Sequence, residues 1–429
     1  MPEPWPAPTA RGAVDATVAV PGSKSMTNRA LVIGALADGE TTLSGALRGR
    51  DTELMAAGLR RLSVAVATDG DAWQVTGSAD TLRATVGTAV DVDVGNAGTV
   101  ARFLPPLAAL TNVRVRFDGD AAMRARPLAP LLNAMRALGI IADASPGELL
   151  PLVVTGSGAV PGGSVRLDAQ ASSQFLSALL LASPLFTDGL SLTVDGAVPS
   201  APYVDMTVAM MRAAGARVTS DVRSWDVTPT GPYRAGRIAI EPDLSTASYF
   251  LAAAVATGGT VRVERWPETT SQPGALLLPL LQRMGAEVAR DAGGVVVSGP
   301  PSIAGVEADL SACGELAPTV AALAVLAKTP SRLTGIAHLR GHETDRLAAL
   351  THELGALGAD VRPTQDALDI TPGALRGALL HTHADHRLAM AFAVIGLVVP
   401  GVVLDDVDTT RKTFPGFAAT WRSMLAGAA

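Results

Sequence analysis

The segment GSVRLDAQASSQFLSALLLASPLFTDGLSLTVDG, residues 163–196, carries the pattern that decides the fold of this chain. It begins with a short strand-like stretch, which is followed by a polar tip, an almost wholly apolar helix, a turn and a second strand. Five other segments have the same order, and the six helices begin 69 to 75 residues apart. A period of this length indicates a repeat architecture. The other segments span residues 16–45, 89–119, 236–264, 305–336 and 378–406.

A second recurrent piece lies between these segments and combines an amphipathic helix with a hairpin. In residues 344–373, Leu and Ala recur at three- and four-residue steps before the sequence alternates like a strand. The repeated unit is therefore predicted to be strand–helix–strand–helix–strand–strand (βαβαββ). The sixth copy ends after its second helix. Six matched copies predict an α/β fold, and the alternative is an ordinary doubly wound α/β protein.

We expect the six units to form two lobes of three units each. Units one to three would form one lobe, residues 22–236. Units four to six, residues 237–429, would form the other lobe together with residues 1–21. The N-terminal residues have no unit of their own, so we expect them to dock beside unit six, which lacks a final hairpin.

Composition and charge exclude several classes of protein. Hydrophobic residues make up 48% of the 429 residues and charged residues 17%, so the chain is not disordered as a whole. The net charge of −6 argues against a nucleic-acid partner, because non-specific binding to phosphates requires a basic surplus. Since Cys313 is the single cysteine, neither a disulfide framework nor a cysteine-based zinc site is expected.

The sequence also predicts a cytoplasmic protein that has no membrane partner. Residues 1–12 are rich in proline and lack the apolar stretch of a secretory signal. The longest apolar run, Leu388 to Leu404, is interrupted by Pro400 and Gly401, whereas a membrane helix needs about 20 apolar residues. A single cysteine fits a reducing compartment.

Polar residues collect at the N-terminal tips of the six apolar helices. These tips read SKSMTNR, GNAGTVAR, ASSQ, DLSTAS, SACGE and HADHR. Each tip offers unpaired backbone N–H groups and the positive end of a helix dipole. If the units pack around a pseudo-threefold axis, three tips converge in each lobe, which predicts an anion-binding cleft. The tips alone do not identify the anion.

Common nucleotide-binding and hydrolase motifs do not occur in the sequence. GNAGTVAR differs from G-x-G-x-x-G, and neither a P-loop motif nor a convincing G-x-S-x-G elbow is present. His381, His383 and His386 could suggest a metal site. However, Arg387 follows directly and would repel a cation, so no metal site is predicted.

Seven sequence blocks carry a family resemblance that spans essentially the whole chain. They are PGSKSMTNRALVIGALADG (21–39), GNAGT (95–99), RARPL (124–128), ASSQFLSALL (171–180), HETDRL (342–347), ADHRLAM (384–390) and RKTFPGF (411–417). In this order and with these gaps, the blocks resemble the family of 5-enolpyruvylshikimate-3-phosphate synthases. The resemblance implies a two-lobed inside-out α/β barrel with three units in each lobe.

The resemblance also implies a reaction. The enolpyruvyl group of phosphoenolpyruvate would move to the 5-hydroxyl of shikimate 3-phosphate through a tetrahedral adduct, with release of phosphate, in the synthesis of chorismate and aromatic amino acids. Fixed cations must bring two polyanions together, and separate groups must take the hydroxyl proton and protonate the methylene carbon. The reaction requires neither a metal nor a redox cofactor. The implied partners are these two small molecules, and we expect a monomer.

Matched residue by residue, the resemblance assigns one set of positions to phosphoenolpyruvate. Arginine suits its carboxylate and phosphate bidentately, whereas lysine acts as a point charge. At Gly98 a side chain would crowd the ligand against backbone N–H groups. The assigned positions are Lys24, Gly98, Arg126, Gln174, Arg346, Arg387 and Lys412.

A second set of positions is assigned by the resemblance to shikimate 3-phosphate. Glu315 is implied as the base that meets the 5-hydroxyl, and Glu343 as the acid that protonates the methylene carbon. Lys24 is implied as a further participant in proton transfer. The assigned positions are Lys24, Ser25, Arg29, Ser172, Ser173, Gln174, Ser200, Tyr203, Glu315, His338 and His342.

Purely structural roles are the alternative for several of these residues. Ser25 and Ser172 could be helix N-caps, which is the usual role of serine at such positions. Glu315 could be a first-turn glutamate that the helix dipole favours. Arg346 could form a surface ion pair with Asp345.

Three of the assigned positions depart from the family's pattern. Glu315 stands where many members have aspartate, and His338 and His342 stand where asparagine and lysine are often found. Because imidazole titrates near pH 6.5, we expect His342 to carry less positive charge at neutral pH than lysine would. Shikimate 3-phosphate is therefore expected to bind more tightly near pH 6 than near pH 8.

Two other functions compete with this prediction. Enzymes that transfer enolpyruvyl to UDP-N-acetylglucosamine usually carry a reactive cysteine before the arginine–proline pair, but residues 119–127 read GDAAMRARP. Cys313 is interpreted as a small apolar filler. The other alternative is a non-catalytic anion-binding protein, although both predicted catalytic carboxylates are present.

Glyphosate inhibits the family at the phosphoenolpyruvate site, and Gly98 predicts that this chain is sensitive to it.

Overall fold

The structure, a computed structural model, describes residues 3–87 and 89–426. Its residue contacts divide the chain into two compact units. Lobe one comprises Met1–Pro21 and Glu241–Ala429, and lobe two comprises Gly22–Ile240. The ends of the predicted lobe at residues 1 and 429 lie outside the described residues.

Units two and three of lobe two have the predicted βαβαββ order. In both, the first two strands are parallel, and the hairpin adds to the second strand in antiparallel fashion. Unit two has strands Ala89–Gly95, Arg114–Gly119, Ile141–Ser145 and Leu149–Thr155, and helices Gly98–Ala108, Ala121–Arg124 and Ala129–Ala137. Unit three has strands Gly163–Asp168, Leu190–Asp195, Val218–Asp221 and Ser224–Val227, and helices Gln174–Ala182, Ser183–Leu185 and Pro202–Ala213.

Unit one takes its first strand from the opposite end of lobe two. Arg237–Ala239 pairs in parallel with Ala37–Ser44, and so does the short strand Tyr233–Arg234. Residues 16–20, with which the first matched segment begins, do not supply this strand. The other elements of unit one are strands Ala65–Ala67 and Ala72–Gly77, and helices Lys24–Ala35, Arg50–Arg61 and Ala79–Arg83.

Unit four of lobe one shows the complementary exchange. Its first strand is Asp15–Val18, which pairs in parallel with Thr260–Glu264. The prediction that residues 236–240 form this strand is wrong. The other elements of unit four are strands Glu287–Asp291 and Gly294–Ser298, and helices Leu244–Thr257, Pro273–Leu276 and Leu277–Arg283. A strand precedes each apolar helix as the pattern predicts, but local pattern does not specify the sheet in which that strand pairs.

Unit five of lobe one is complete in itself, and the N-terminus completes unit six. Trp5–Pro6 pairs antiparallel with Val403–Leu404, so these N-terminal residues lie beside unit six. Unit five has strands Glu307–Asp309, Ser331–Thr334, Asp360–Pro363 and Leu368–Thr371, and helices Gly314–Leu316, Ala317–Leu326, Ala337–Gly341 and Arg346–Leu357. Unit six also has strand Leu379–Leu380 and helices His386–Gly396, Val407–Lys412 and Phe417–Ala426.

The first helix of each unit is buried within its own lobe. In lobe one, the helices Leu244–Thr257, Ala317–Leu326 and His386–Gly396 contact one another in all three pairs. Helix Ala317–Leu326 has no exposed residue, as expected for a helix that is apolar all round. This packing brings the N-terminal tips of three helices together in lobe one.

Among the described residues, no helix combines the length and apolar character that a membrane span requires.

Candidate functional site

The first tip of lobe two is capped by a serine that the sequence analysis did not single out. Ser23 is the N-cap of helix Lys24–Ala35, and its Oγ accepts from the backbone N–H of Met26 at 3.4 Å. Ser25 is the second residue of the helix, so it is not the N-cap. Lys24 Nζ lies 3.3 Å from Asp51 Oδ2, and Asp51 is 2% exposed. A buried carboxylate therefore holds the ammonium group of Lys24 at this tip.

Arg29 lies behind this tip and is buried. Its guanidinium donates to Thr207 Oγ1 at 2.7 Å, to Ser177 Oγ at 3.2 Å and to the carbonyl oxygens of Ser25 and Tyr203 at 3.0 Å. Burial lowers the pKa of Arg29 to about 10. These contacts tie together two positions that were assigned to shikimate 3-phosphate, Ser25 and Tyr203.

Gly98 lies in a ring of polar side chains from two units. A Cβ at this position would lie 2.6 Å from Arg102 Nη1 and 3.2 Å from both Arg126 Nη2 and Gln174 Oε1. Arg102 Nη1 donates to Gln174 Oε1 at 2.7 Å, which joins the tips of units two and three. Arg126 is buried, and no carboxylate of the described residues pairs with it. The ring therefore concentrates positive charge around a position that only glycine leaves open.

The remaining predicted residues of lobe two lie at the tips of unit three. Ser172 Oγ accepts from the backbone N–H of Gln174 at 3.2 Å, so part of its role is to cap a helix. Ser173 is the N-cap residue of that helix by position, but its side chain makes no capping hydrogen bond. Ser200 has a φ of 54°, in the left-handed region, and precedes the helix that carries Tyr203. Hydroxyl groups thus accumulate where backbone N–H groups are exposed.

In lobe one, the fully buried guanidinium of Arg346 is the centre of a charged cluster. Its Nε donates to Asp385 Oδ2 at 2.7 Å, and its Nη1 and Nη2 donate to Glu315 Oε2 and Glu343 Oε2 at 2.8 Å each. The alternative that Arg346 forms a surface ion pair with Asp345 is wrong. Asp345 instead caps the helix and pairs with Arg340.

Two further cations hold the catalytic candidates of lobe one. Lys412 Nζ donates to Glu343 Oε1 at 2.7 Å, and Arg387 pairs with Glu315 Oε2. Burial would raise the pKa of Glu315, but Arg387 and Arg346 outweigh it and bring this pKa well below 4.5. Glu315 also lies two residues before helix Ala317–Leu326, so the helix dipole adds to the same stabilisation.

Burial disfavours the charged form of both histidines in this cluster. Burial brings the pKa of His342 well below 6.5, and burial also lowers the pKa of His338. His342 Nδ1 lies 3.1 Å from Nη1 of Arg346, which can only donate, so this nitrogen accepts and carries no proton. The expected strengthening of shikimate 3-phosphate binding towards pH 6 through His342 is therefore unsupported, because protonation would break that hydrogen bond.

Sequence reasoning missed three residues of these sites. They are Asp51, which holds Lys24; Arg102, which bonds Gln174; and Asp385, which holds Arg346. Asp385 is the N-cap of helix His386–Gly396, and its Oδ1 accepts from Arg387 N at 2.8 Å. The aspartate before an apolar helix was a readable capping signal. Its second partner lies 39 residues away in the chain, and no local signal indicates that contact.

The histidines that could have suggested a metal have carboxylate partners instead. His383 Nε2 lies 2.8 Å from Glu353 Oε1, and His381 Nδ1 lies 3.1 Å from Asp405 Oδ2. Within residues 3–87 and 89–426, no group of three or more His, Cys, Asp or Glu side chains is arranged to hold a metal ion.

Each lobe brings several cations together among its predicted site residues. In lobe one, three cations meet three carboxylates: Arg346, Arg387 and Lys412 against Glu315, Glu343 and Asp385. The tips of lobe two carry Lys24, Arg29, Arg102 and Arg126, and Asp51 pairs with Lys24.

The fold is of the α/β class and is built from βαβαββ units whose helix tips carry clusters of charged and polar side chains. A model of the EPSP synthase (3-phosphoshikimate 1-carboxyvinyltransferase) family matches residues 8–421, and the chain belongs to this family. Two solved structures of EPSP synthase from Acinetobacter baumannii are similar to it in fold. Each is 24% identical; their TM-scores are 0.81 and 0.80, and the matches cover 98% of this chain and 97% and 98% of theirs.

Membership of this family defines the chain as a transferase of the shikimate pathway, on the route to aromatic amino acids. Its activity is that of a 3-phosphoshikimate 1-carboxyvinyltransferase, and its substrates are small molecules. The predicted family and reaction are confirmed.

Proposed function

We propose that the chain transfers the enolpyruvyl group to the 5-hydroxyl of shikimate 3-phosphate with Glu315 and Glu343 as its proton-transfer groups. The observation that carries this proposal is the pairing of both carboxylates with one buried guanidinium, that of Arg346. The reaction needs one group that takes a hydroxyl proton and another that protonates carbon. Two carboxylates held in fixed positions meet both needs.

The tips of lobe two are proposed to bind shikimate 3-phosphate. The hydroxyls of Ser25, Ser172 and Ser173 and the neighbouring backbone N–H groups suit its phosphate. Tyr203 would lie beneath the six-membered ring, and Arg29 fixes the backbone of both Ser25 and Tyr203. The remaining candidates for this substrate are Lys24, Gln174, Ser200, Glu315, His338 and His342.

The cations around Gly98 and Arg346 are proposed to bind phosphoenolpyruvate. Its carboxylate and phosphate would form bidentate hydrogen bonds with Arg126, Arg346 and Arg387. Lys24 and Lys412 would contribute as point charges. Glu343 accepts hydrogen bonds from Lys412 and from Nη2 of Arg346. An incoming anion would displace Glu343 from these cations and disfavour its charged form, since a like charge nearby favours protonation.

The proposed reaction runs in two steps that balance without a redox or metal cofactor. In the first step, the 5-oxygen bonds to the central carbon of phosphoenolpyruvate while Glu315 takes its proton, and Glu343 protonates the methylene carbon to a methyl group. In the second step, the methyl group returns a proton to Glu343, the carbon–oxygen bond to phosphate breaks, the departing phosphate takes the proton that Glu315 holds, and the enol ether forms. Lys24 is a second candidate for the proton transfers.

Phosphate release from phosphoenolpyruvate tests this proposal. One assay contains shikimate 3-phosphate as acceptor, and a second contains UDP-N-acetylglucosamine. We expect release only in the first assay. Release only in the second would assign the chain to the other enolpyruvyl transfer. If neither assay releases phosphate but both substrates bind, the chain is an anion-binding protein without catalysis.

We also propose a monomer in the cytoplasm that has no nucleic-acid partner. The net charge of −6 supports the last point, and the buried thiol of Cys313 suits a reducing compartment. Light scattering during size-exclusion chromatography tests the monomer.

Each lobe is further proposed to fold as three units together, and limited proteolysis that released residues 22–170 as a stable fragment would contradict this.

A further inference from the structure

A buried carboxylate outside the charged cluster described above is bonded to the chain segment that precedes Arg387. Glu353, on helix Arg346–Leu357, is 1% exposed. Its Oε2 accepts from the backbone N–H of His381 at 3.0 Å, and its Oε1 lies 2.8 Å from His383 Nε2. The exposed ring of His352 lies 3.0 Å from the same Oε1. Among the described residues, no lysine or arginine pairs with Glu353. Its carboxylate contacts the backbone N–H of His381 and the rings of His383 and His352.

The segment that Glu353 contacts has an uncommon backbone. His383 and Ala384 have φ values of 53° and 54°, and two consecutive left-handed residues with a Cβ are disfavoured unless neighbouring contacts fix them. Thr382 N donates to Asp405 Oδ1 at 2.8 Å, which fixes the segment from the other side. Glu353 and Asp405 together therefore hold this left-handed turn in place.

The turn determines where two functional residues lie. Asp385 follows it directly, caps the helix that begins at His386, and holds Arg346 Nε at 2.7 Å. Arg387 is the second residue of that helix. Glu353 lies seven residues after Arg346, about two helical turns further along the same face. One rigid helix thus carries Arg346 and also anchors the turn that places Asp385 and Arg387.

We propose that Glu353 is a positioning residue for phosphoenolpyruvate binding, which rests on the proposed roles of Arg346 and Arg387. It acts through the turn at His383 and Ala384 and touches no substrate itself. Without its carboxylate, the N–H of His381 and the ring of His383 lose their buried acceptor, and the turn relaxes. The guanidinium of Arg387 then samples other positions, and phosphoenolpyruvate loses affinity more than shikimate 3-phosphate does.

Three variants of the full chain test the proposal in the phosphate-release assay. Glu353→Ala is expected to raise KM for phosphoenolpyruvate about tenfold, the size expected when two buried donors lose an acceptor, and to change KM for shikimate 3-phosphate less than about twofold. Glu353→Gln keeps an oxygen for the His381 N–H and should restore most of the affinity. His352→Ala is the matched control, because it removes an exposed contact to the same carboxylate; both KM values should stay unchanged.

Hydrogen exchange of the amides in residues 381–387 is a second readout that does not depend on turnover. We expect faster exchange in Glu353→Ala than in the unmodified chain and in His352→Ala. Unchanged exchange in Glu353→Ala overturns the proposal. A lowered melting temperature together with an unchanged KM for phosphoenolpyruvate also overturns it, because that result would show that Glu353 has a purely structural role. If the unmodified chain releases no phosphate, the proposed function fails, and the catalytic part of this inference fails with it.

Discussion

Arg346 Nη2 donates to Glu343 Oε2 at 2.8 Å, so the proposed acid and a proposed substrate-binding cation are paired with each other. Lys412 Nζ holds the other oxygen of Glu343 at 2.7 Å. The carboxylate therefore lies between two cations in a buried cluster. In the mechanism proposed above, phosphoenolpyruvate would take over these cations and release Glu343 to carry a proton.

The first prediction concerns stability. In Arg346→Met, the carboxylates of Glu315, Glu343 and Asp385 lose their shared buried cation, and unpaired buried charge is costly. We expect the free energy of unfolding to fall by about 3–5 kcal/mol, measured by urea denaturation at neutral pH. Arg332→Met is the control, because Arg332 pairs with Asp369 at an exposed site, and it should change stability by less than about 1 kcal/mol. Equal losses in both variants would contradict the account of the cluster.

The second prediction concerns pH. Burial holds the pKa of His342 well below 6.5 in the folded chain. As the pH falls below 6.5, the imidazole of His342 therefore becomes protonated in the unfolded chain before it does in the folded chain. The contribution of His342 to stability is therefore complete above pH 6.5 and declines as the pH falls. The groups around it are Glu315, Glu343, Arg346 and His338.

Comparison of the unmodified chain with His342→Gln isolates this contribution. Urea denaturation between pH 8 and pH 5 should show a smaller loss of stability on acidification in His342→Gln. The affinity for shikimate 3-phosphate between pH 6.5 and pH 8 should depend on pH equally in both proteins. A steeper acid loss in the variant would show that His342 is charged in the folded protein.

The repeat order of the fold could be predicted from sequence because each unit is encoded by local signals. Apolar periodicity and turn residues identify the helices and strands, and the structure confirms the βαβαββ order in units two and three. The exchange of Asp15–Val18 and Arg237–Ala239 between units one and four could not be predicted. Either strand satisfies the same alternating pattern, and only the three-dimensional packing selects its partner.

The candidate site was predictable to the extent that its residues lie in motif blocks. Arg346, Glu343 and Arg387 were identified, but the pairing of Arg346 with Asp385 depends on a contact between distant segments. The neutral state of His342 likewise depends on burial and on a neighbouring guanidinium, neither of which sequence displays. Charge balance within a cluster emerges only when the partners are known.

The third prediction concerns Gly98. In Gly98→Ala, the new Cβ would lie 2.6 Å from Arg102 Nη1 and 3.2 Å from Arg126 Nη2, so both guanidiniums must shift. We expect KM for phosphoenolpyruvate to rise about tenfold while KM for shikimate 3-phosphate changes less than about twofold. Gly355→Ala is the control, because a Cβ there meets nothing within 4 Å. An unchanged KM for phosphoenolpyruvate in Gly98→Ala would exclude this ring as its binding site.

Glyphosate inhibition extends the test of the same ring. The unmodified chain is expected to be inhibited well below the millimolar range, since Gly98 leaves the ring open. Gly98→Ala should weaken inhibition at least as much as it weakens phosphoenolpyruvate binding. A half-inhibitory concentration in the millimolar range for the unmodified chain would contradict this expectation.

The central claim is that Glu343 delivers the proton to the methylene carbon, and deuterium transfer from solvent tests it most directly. The chain is incubated in D2O with phosphoenolpyruvate and shikimate 3-phosphate, and deuterium in the methylene group of the product is measured by NMR. We predict incorporation with the unmodified chain and with Glu264→Gln, an exposed control in the same lobe, and a loss of about 10²-fold or more in Glu343→Gln. Undiminished incorporation in Glu343→Gln would contradict the account and assign the proton to another group.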